Sequence, residues 1–228
     1  YEGGNTKIGV DQTPIDKNNG KKRIVVVGSG PIRIGQGIEF DYACVHAAGA
    51  IQDLGHEAII INNNPETVST DFDTSDRLYF DPLSLESVSE ILLRESADGI
   101  LLQFGGQTAI NLALPLSENL NHLRKFGLNI IIQGTSPSAI DEASDRDLFE
   151  KFASRNDLRM PNGMTASSPK EVYNCVSNIG YPVLIRPSYV LGGRGMEILS
   201  SDEQLETYMK EAYIARDRPL LIDDYLGD

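Results

Sequence analysis

Short, continuously apolar runs alternate with helical segments along the first part of the chain. Four of these runs predict strands, at residues 23–27, 57–61, 99–103 and 129–132. Helical patterns lie between them, near residues 36–54, 85–95 and 108–120. Each run is apolar at successive positions instead of every second one, which is typical of parallel strands buried on both faces. The pattern therefore predicts an α/β domain with a parallel, doubly wound sheet.

The pattern changes after Gly134. Ser136-Pro137 and Ser168-Pro169 each place a capping serine before a proline at the first helical position. Helices are predicted near residues 145–153, 169–178 and 202–212, with strands near 182–186, 195–200 and 220–222. Such short strands joined by glycine turns predict an α+β domain, and we expect it to be incomplete because little chain follows its last strand. The expected organisation is a linker at residues 1–22, a parallel-sheet domain at 23–144 and a truncated second domain at 145–228.

Charge and composition exclude several classes of protein. The chain has 20 basic and 33 acidic residues and a net charge of −13, which disfavours binding to nucleic acid. The basic run Lys21-Lys22-Arg23 is interpreted as a solvated entry to the first strand. No apolar stretch approaches the ~20 residues of a membrane helix, and no secretory signal is visible. The first residue is Tyr1, so we expect a piece of a longer protein. The usage of cysteine described next fits a cytoplasmic location.

Cysteine and histidine usage argues against metal and redox chemistry. Cys44 and Cys175 lie far apart in helical segments, and we expect both to be reduced and buried. The histidines are scattered, so neither a zinc site nor a histidine-based triad is predicted. Their positions are His46, His56 and His122.

Ligands of a parallel sheet bind at the carboxyl ends of its strands, which directs attention to three loops. The loop at residues 28–37 is rich in glycine and precedes a helix, an arrangement that suits an anion. The dinucleotide fingerprint would need glycine at Arg33 and an acid near Asn62, so an NAD-dependent dehydrogenase is disfavoured. A turn that serves packing alone is the other interpretation. The loop at 62–76 either binds a ligand or is hydrogen-bonded only to itself. The loop at 104–108 either binds a ligand or is a plain strand-to-helix turn.

Arginines and glycines of the second domain suggest a phosphate site. Arg186 ends an apolar strand, where its charge needs a carboxylate or an anionic ligand, and its planar fork suits phosphate. Arg146 lies between two aspartates and has the same two interpretations. Gly192-Gly193 is either a hairpin turn or a flap over phosphates.

In the first domain, Glu39 and Asp41 either border a ligand or simply complement the dipole of the helix that they begin.

Five segments, in order along the chain, resemble the large subunit of carbamoyl phosphate synthetase. They are residues 34–42 (IGQGIEFDY), 64–71 (NPETVSTD), 75–80 (SDRLYF), 105–107 (GGQ) and 186–194 (RPSYVLGGR). The resemblance extends from about residue 23 to the end of the chain, and long motifs in register are specific. The amino-acid sequences of the first two segments resemble those of the carboxy-terminal synthetase half, which phosphorylates carbamate.

The resemblance implies a fold and an activity. It identifies residues 23–144 with a pre-ATP-grasp domain and residues 145–228 with the opening part of an ATP-grasp domain. The implied reaction is ATP-dependent phosphorylation of carbamate to carbamoyl phosphate, for pyrimidine and arginine biosynthesis, with magnesium as the metal. The implied partners are ATP, carbamate, the amino-terminal synthetase half and a glutaminase subunit or domain.

The same resemblance assigns residues to roles. It places ATP against Arg146, Arg186, Gly192, Gly193, Asp224 and Leu226. It places the route of carbamate along Arg33, Gly37 and Glu39. The family's magnesium ligands would follow Asp228, so we expect no metal ligand here and no turnover by this piece alone. The alternatives are another ATP-grasp ligase, similar to biotin carboxylase, and a non-catalytic nucleotide-binding module.

Overall fold

The computed structural model describes residues 20–33, 35–124, 129–187, 195–212 and 219–227. The expected linker at 1–22 therefore lies almost wholly outside the described residues. The chain divides into two compact units: the first comprises residues 1–33 and 37–149, and the second comprises residues 34–36 and 150–228. None of the helices in these ranges is long and apolar enough to cross a membrane.

The first unit contains a five-stranded sheet with the order β3-β2-β1-β4-β5, and all of its pairings are parallel. Its strands are β1 Arg23–Val27, β2 Glu57–Ile61, β3 Arg77–Tyr79, β4 Gly99–Leu101 and β5 Ile131–Gln133. The predicted parallel sheet is thus confirmed, and β3 is an additional strand at its edge. Sequence analysis missed β3 because it has only three residues and begins with a charge.

Helices cover both faces of this sheet. They are α1 Glu39–Asp53, α2 Leu85–Glu95, α3 Gly106–Ile110, α4 Ala113–Arg124 and α5 Pro137–Ser144, with a 3₁₀ helix at Val68–Thr70. The segment at 108–120 was predicted as one helix and forms two, α3 and α4. Alternate residues of β1 divide between the two cores: Val25 and Val27 pack with α2 and α4, whereas Ile24 and Val26 pack with α1. This division explains why the strands are apolar at every position.

A buried network of charges closes the amino-terminal edge of the sheet. Arg23 donates from Nε to Oε2 of Glu57 at 3.0 Å and from its guanidinium to the carbonyl of Glu95 at 2.9 Å. Glu95, which is 2 % exposed, accepts hydrogen bonds from Arg77 and the hydroxyl of Tyr79. The interpretation of Arg23 as solvated is therefore wrong: strand pairing buries it, and these carboxylate and carbonyl oxygens compensate its charge.

The second unit is built on a four-stranded antiparallel sheet with the order β6-β9-β7-β8. Its strands are β6 Gly163–Ala166, β7 Val183–Pro187, β8 Glu197–Leu199 and β9 Leu220–Asp224, and its helices after α6 Arg146–Arg155 are α7 Pro169–Ile179 and α8 Asp202–Ala212. The predicted serine caps of α5 and α7 are confirmed, since Ser136 accepts from Ala139 and Ser168 from Glu171. Strand β6 was not predicted because Gly-Met-Thr-Ala carries little strand signal.

One face of this second sheet carries the core. Residues of α7 and α8, including Val172, Val176 and Leu205, pack against Val183 and Ile222 of the strands. Because side chains alternate along a strand, the intervening residues belong to the opposite face, which neither α7 nor α8 covers. We call this opposite face the outer face.

Candidate functional site

The outer face of the second sheet combines aliphatic side chains with one pair of opposite charges. In the register, Leu184 pairs with Asp223 and Ile198, and Arg186 pairs with Leu221. Paired residues of antiparallel strands share a face, so all five belong together. Leu184, Arg186 and Leu221 are half-buried, and Ile198 is exposed. The face therefore offers an apolar platform beside a guanidinium.

Arg186 and Asp223 form a loose ion pair. Nε of Arg186 lies 3.6 Å from Oδ2 of Asp223, which is beyond a good hydrogen bond. This Nε is buried and has no hydrogen-bond partner among the described residues, although 41 % of the Arg186 side chain is exposed. Asp223 is nearly buried. The aspartate thus offsets the charge of a guanidinium that stays accessible to an anion approaching the outer face.

The structure distributes the other residues predicted to contact ATP. Asp224 follows Asp223 in β9 and, by alternation, shares the face of Ile222, opposite to that of Arg186. Its amide donates to the carbonyl of Asn162 at 2.7 Å. Leu226 is 69 % exposed just beyond β9. Gly192 and Gly193 lie outside the described residues, as does the side chain of Arg146. A role of these positions in binding ATP stays a prediction.

Sequence analysis overlooked Asp223. The signal that could have found it is the period-two alternation in β9, where Leu221 and Asp223 lie on one face and Ile222 lies in the core. The alternation alone does not show that this face of β9 is shared with Arg186; that requires knowing that Arg186 of β7 pairs with Leu221. Only the sheet supplies this register.

The residues predicted to border a carbamate route lie around the start of α1. Glu39 begins the helix, and its Oε1 accepts a hydrogen bond from the amide of Gly37 at 3.1 Å. Arg33 and Glu39 are exposed, and Gly37 is half-buried. The structure brings Gly37 and Glu39 together, and the role of all three in carbamate transfer stays a prediction.

The glycine-rich loop after β1 forms hydrogen bonds within the protein. The amide of Gly28 donates to the carbonyl of Ile61 at 2.8 Å, and that of Gly30 donates to Oδ1 of Asn62 at 3.0 Å. A Cβ on Gly105 would lie 2.4 Å from the carbonyl oxygens of Val27 and Gly28. The backbone of Gly105, in the loop after β4, therefore packs directly against the carboxyl end of β1, near the point where a dinucleotide would bind in such a sheet. This geometry supports the interpretation of the loop as a packing turn.

The long loop at 62–76 is hydrogen-bonded to itself and to α1. Asn62, which is fully buried, donates to Oγ1 of Thr67 at 3.2 Å and to Oγ of Ser69 at 2.9 Å. The carboxylate of Asp41 accepts from the amides of Val68 at 2.9 Å and Ser69 at 3.1 Å. The loop is thus hydrogen-bonded to itself, as one of the two interpretations predicts, and binding of a ligand by it stays a prediction. The side chain of Asp41 therefore binds the amides at the start of the 3₁₀ helix, a contact that the sequence did not indicate.

Both cysteines are free and buried, as predicted. Burial raises the pKa of the Cys44 thiol to about 12, with a smaller contribution from the charge of Asp41. Burial also raises the pKa of Cys175. Because the thiolate is the reactive form, neither side chain is a nucleophile near neutral pH.

Comparison with protein families and curated proteins gives matches over both units. The family described as carbamoyl phosphate synthase preATP-grasp domain matches residues 20–142, and the one described as carbamoyl-phosphate synthase L chain, ATP binding domain, matches residues 145–227. The carbamoyl phosphate synthase large chain of Methanothrix thermoacetophila is 53 % identical over 206 residues, which is 90 % of this chain and 19 % of that one. The large chain of Methanosarcina barkeri is 52 % identical over 217 residues, 95 % of this chain and 20 % of that one. The chain thus spans about a fifth of the length of these curated relatives.

Solved structures share the fold at low sequence identity. An N5-carboxyaminoimidazole ribonucleotide synthetase, solved as an ADP complex, has a TM-score of 0.64 and 12 % identity, covering 90 % of this chain and 47 % of that one. The biotin carboxylase domain of the Hydrogenobacter thermophilus 2-oxoglutarate carboxylase has a TM-score of 0.63 and 22 % identity, covering 90 % and 44 %. These likenesses show the fold alone.

Proposed function

Because the chain belongs to the carbamoyl phosphate synthase family, we propose that its second unit forms part of an ATP site. We further propose that the longer protein uses this ATP to phosphorylate carbamate to carbamoyl phosphate. The observation that supports the proposal most directly is the outer face, where Arg186 stands beside Asp223 on an aliphatic platform. A nucleotide needs both an apolar surface for its base and a cation for its phosphates.

The finer assignments follow from the motifs. The segments at 34–42 and 64–71 favour the carboxy-terminal synthetase half. For that half we propose domain limits at residues 22 and 144. The proposed partners are an amino-terminal synthetase half and a glutaminase. A cytoplasmic location and a role in pyrimidine and arginine biosynthesis belong to the same proposal. The residues proposed for ATP are Arg146, Arg186, Gly192, Gly193, Asp224 and Leu226, and those for the carbamate route are Arg33, Gly37 and Glu39.

Phosphoryl transfer requires little covalent chemistry from a protein, since positioning and compensation of charge dominate. In this proposal Arg186 binds phosphate oxygens through its planar fork, while Asp223 keeps the guanidinium in place on the outer face. A magnesium ion would neutralise the charge of the phosphates. Among the described residues, no group of three or more His, Cys, Asp or Glu side chains lies close enough together to hold a metal. We propose, from the family resemblance, that the magnesium ligands belong to another part of the longer protein.

The competing functions find less support. A dinucleotide-dependent dehydrogenase would need the amides that Gly28 and Gly30 use within the protein, and its fingerprint would need glycine where the chain has Arg33. Another ATP-grasp ligase, similar to biotin carboxylase, shares the fold at 22 % identity, compared with 53 % and 52 % for two carbamoyl phosphate synthase large chains.

Substitution of Arg186 in the complete polypeptide tests the proposal. We expect Arg186→Ala to raise the KM for ATP about 10- to 100-fold, because a charge-assisted hydrogen bond contributes about 1.5–3 kcal/mol. Arg186→Lys keeps the charge without the fork, so its KM should lie between those of the wild type and the alanine variant. Lys170→Ala, which removes an exposed cation from α7, is the matched control. An Arg186→Ala variant with the KM of the control, or tight binding of NAD by the wild type, would overturn the proposal.

A second measurement concerns the 228-residue chain alone. We expect it to form no carbamoyl phosphate from ATP and carbamate, because the ligands for magnesium are proposed to lie elsewhere in the longer protein. Detection of radiolabelled carbamoyl phosphate with the purified chain would contradict this expectation.

A further inference from the structure

Four large apolar side chains are exposed on the first unit, at the start of α1 and in the loop after β2. They are Ile38, Tyr42, Val68 and Phe72, with 74, 65, 55 and 93 % of their surface exposed. We call these four residues the Phe72 patch. Clusters of exposed apolar side chains of this size are uncommon on a protein surface and mark interfaces.

Hydrogen bonds hold the two halves of the patch together. Ile38 and Tyr42 are one helical turn apart, so they share a side of α1. The carboxylate of Asp41 accepts from the amide of Val68 at 2.9 Å, which places Val68 against the first turn of the helix. The carbonyl of Val68 in turn accepts from Oγ1 of Thr74 at 2.7 Å and closes the loop around Phe72. The aromatic ring is therefore presented by a hydrogen-bonded loop.

Acidic side chains flank the Phe72 patch on its own two segments. Glu39, Glu66, Asp71 and Asp73 are exposed on the same two segments. The sequence between Arg33 and Arg77 contains no lysine or arginine. A two-fold contact between copies of this chain would bring these acids against their own counterparts, and anionic lipid would be repelled. The charge pattern favours an occupant with an apolar centre and basic flanks.

The length of the relatives indicates where that occupant lies. The chain spans about a fifth of the curated large chains that it matches, so most of such a polypeptide lies outside these residues. We propose that the Phe72 patch is an interdomain docking surface, which binds an apolar segment flanked by Lys or Arg in another part of the same longer polypeptide. The side chains at its centre are aromatic and aliphatic, and its rim is charged, as in other protein interfaces.

Site-specific photo-cross-linking tests this proposal in the complete polypeptide. Phe72→p-benzoylphenylalanine places the reactive group in the patch, and Leu54→p-benzoylphenylalanine places it at the far end of α1, where Leu54 is 76 % exposed. We expect position 72, and not position 54, to cross-link within one polypeptide to a segment outside residues 1–228. Mass spectrometry should find Lys or Arg within a few residues of the cross-linked site.

Charge reversal supplies the second measurement. Asp71→Lys and Asp73→Lys should each lose most of the cross-link from position 72, whereas Asp53→Lys, the same change at the far end of α1, should keep it. Both replaced rim residues are exposed, so the loop is expected to fold. Cross-links between two copies, cross-links to added phosphatidylserine vesicles, or equal yields from positions 72 and 54 would each overturn the proposal. The readout needs no ATP, so its failure is distinct from failure of the proposed activity.

Discussion

Replacing Asp41 by alanine removes the carboxylate that joins the first turn of α1 to the loop at 62–76. Asp41 is 8 % exposed and accepts hydrogen bonds from the amides of Val68 at 2.9 Å and Ser69 at 3.1 Å. A hydrogen bond to a charged group contributes about 1.5–3 kcal/mol, and the two share one acceptor group, so we expect a loss of about 2–4 kcal/mol. Local opening of the loop should then become roughly 30- to 1,000-fold more frequent, at 1.4 kcal/mol for each factor of ten.

Hydrogen exchange of the two amides is the appropriate assay, because it reports the loop without requiring the two units to unfold together. The amides of Val68 and Ser69 should exchange faster in Asp41→Ala, and those of β1 should be unchanged. Asp41→Asn keeps one acceptor oxygen and should show a smaller effect. Asp53→Ala is the control, since it removes an exposed aspartate from the same helix. Equal exchange in Asp41→Ala and Asp53→Ala would refute the assignment of Asp41 as the anchor of the loop.

Three further predictions concern packing and ionisation. Gly105→Ala should lower the free energy of unfolding of the first unit by about 1–3 kcal/mol in denaturant titrations, because its Cβ would lie 2.4 Å from two carbonyl oxygens. Gly49→Ala is the control: its Cβ would enter open space on α1, so it should raise the same free energy by about 0.5–1 kcal/mol. Cys44 should react with iodoacetamide at pH 8 at least about a hundredfold more slowly in the folded chain than in urea, because burial raises its pKa to about 12; equal rates would contradict this. Burial likewise raises the pKa of Tyr208 from 10.0 to about 12. The neutral phenol therefore contributes its full stability below pH 10, and this contribution is lost between pH 10 and 12. Over this interval the melting temperature of the wild type should fall more steeply with pH than that of Tyr208→Phe.

The sequence determined most of the helices and strands within each unit. Continuous runs such as 23–27 and 57–61 have no polar face, so only a sheet covered on both sides can bury them. Capping serines at 136 and 168 positioned two helices for a local reason, the unpaired amides of a helix start. The shortest strands, β3 and β6, escaped because three or four residues carry too little pattern to outweigh their polar and small members.

The candidate site was only partly accessible from the sequence. Arg186 could be singled out because a charge at the end of an apolar run needs a partner. Its partner, Asp223, lies 37 positions away and becomes a neighbour only because β7 pairs with β9 in one particular register. The same holds for Asp41 and Val68, and for Gly105 and Gly28. Local residue type thus decided which elements form, whereas contacts between segments distant in sequence were decided by strand pairing and packing, which no local pattern encodes.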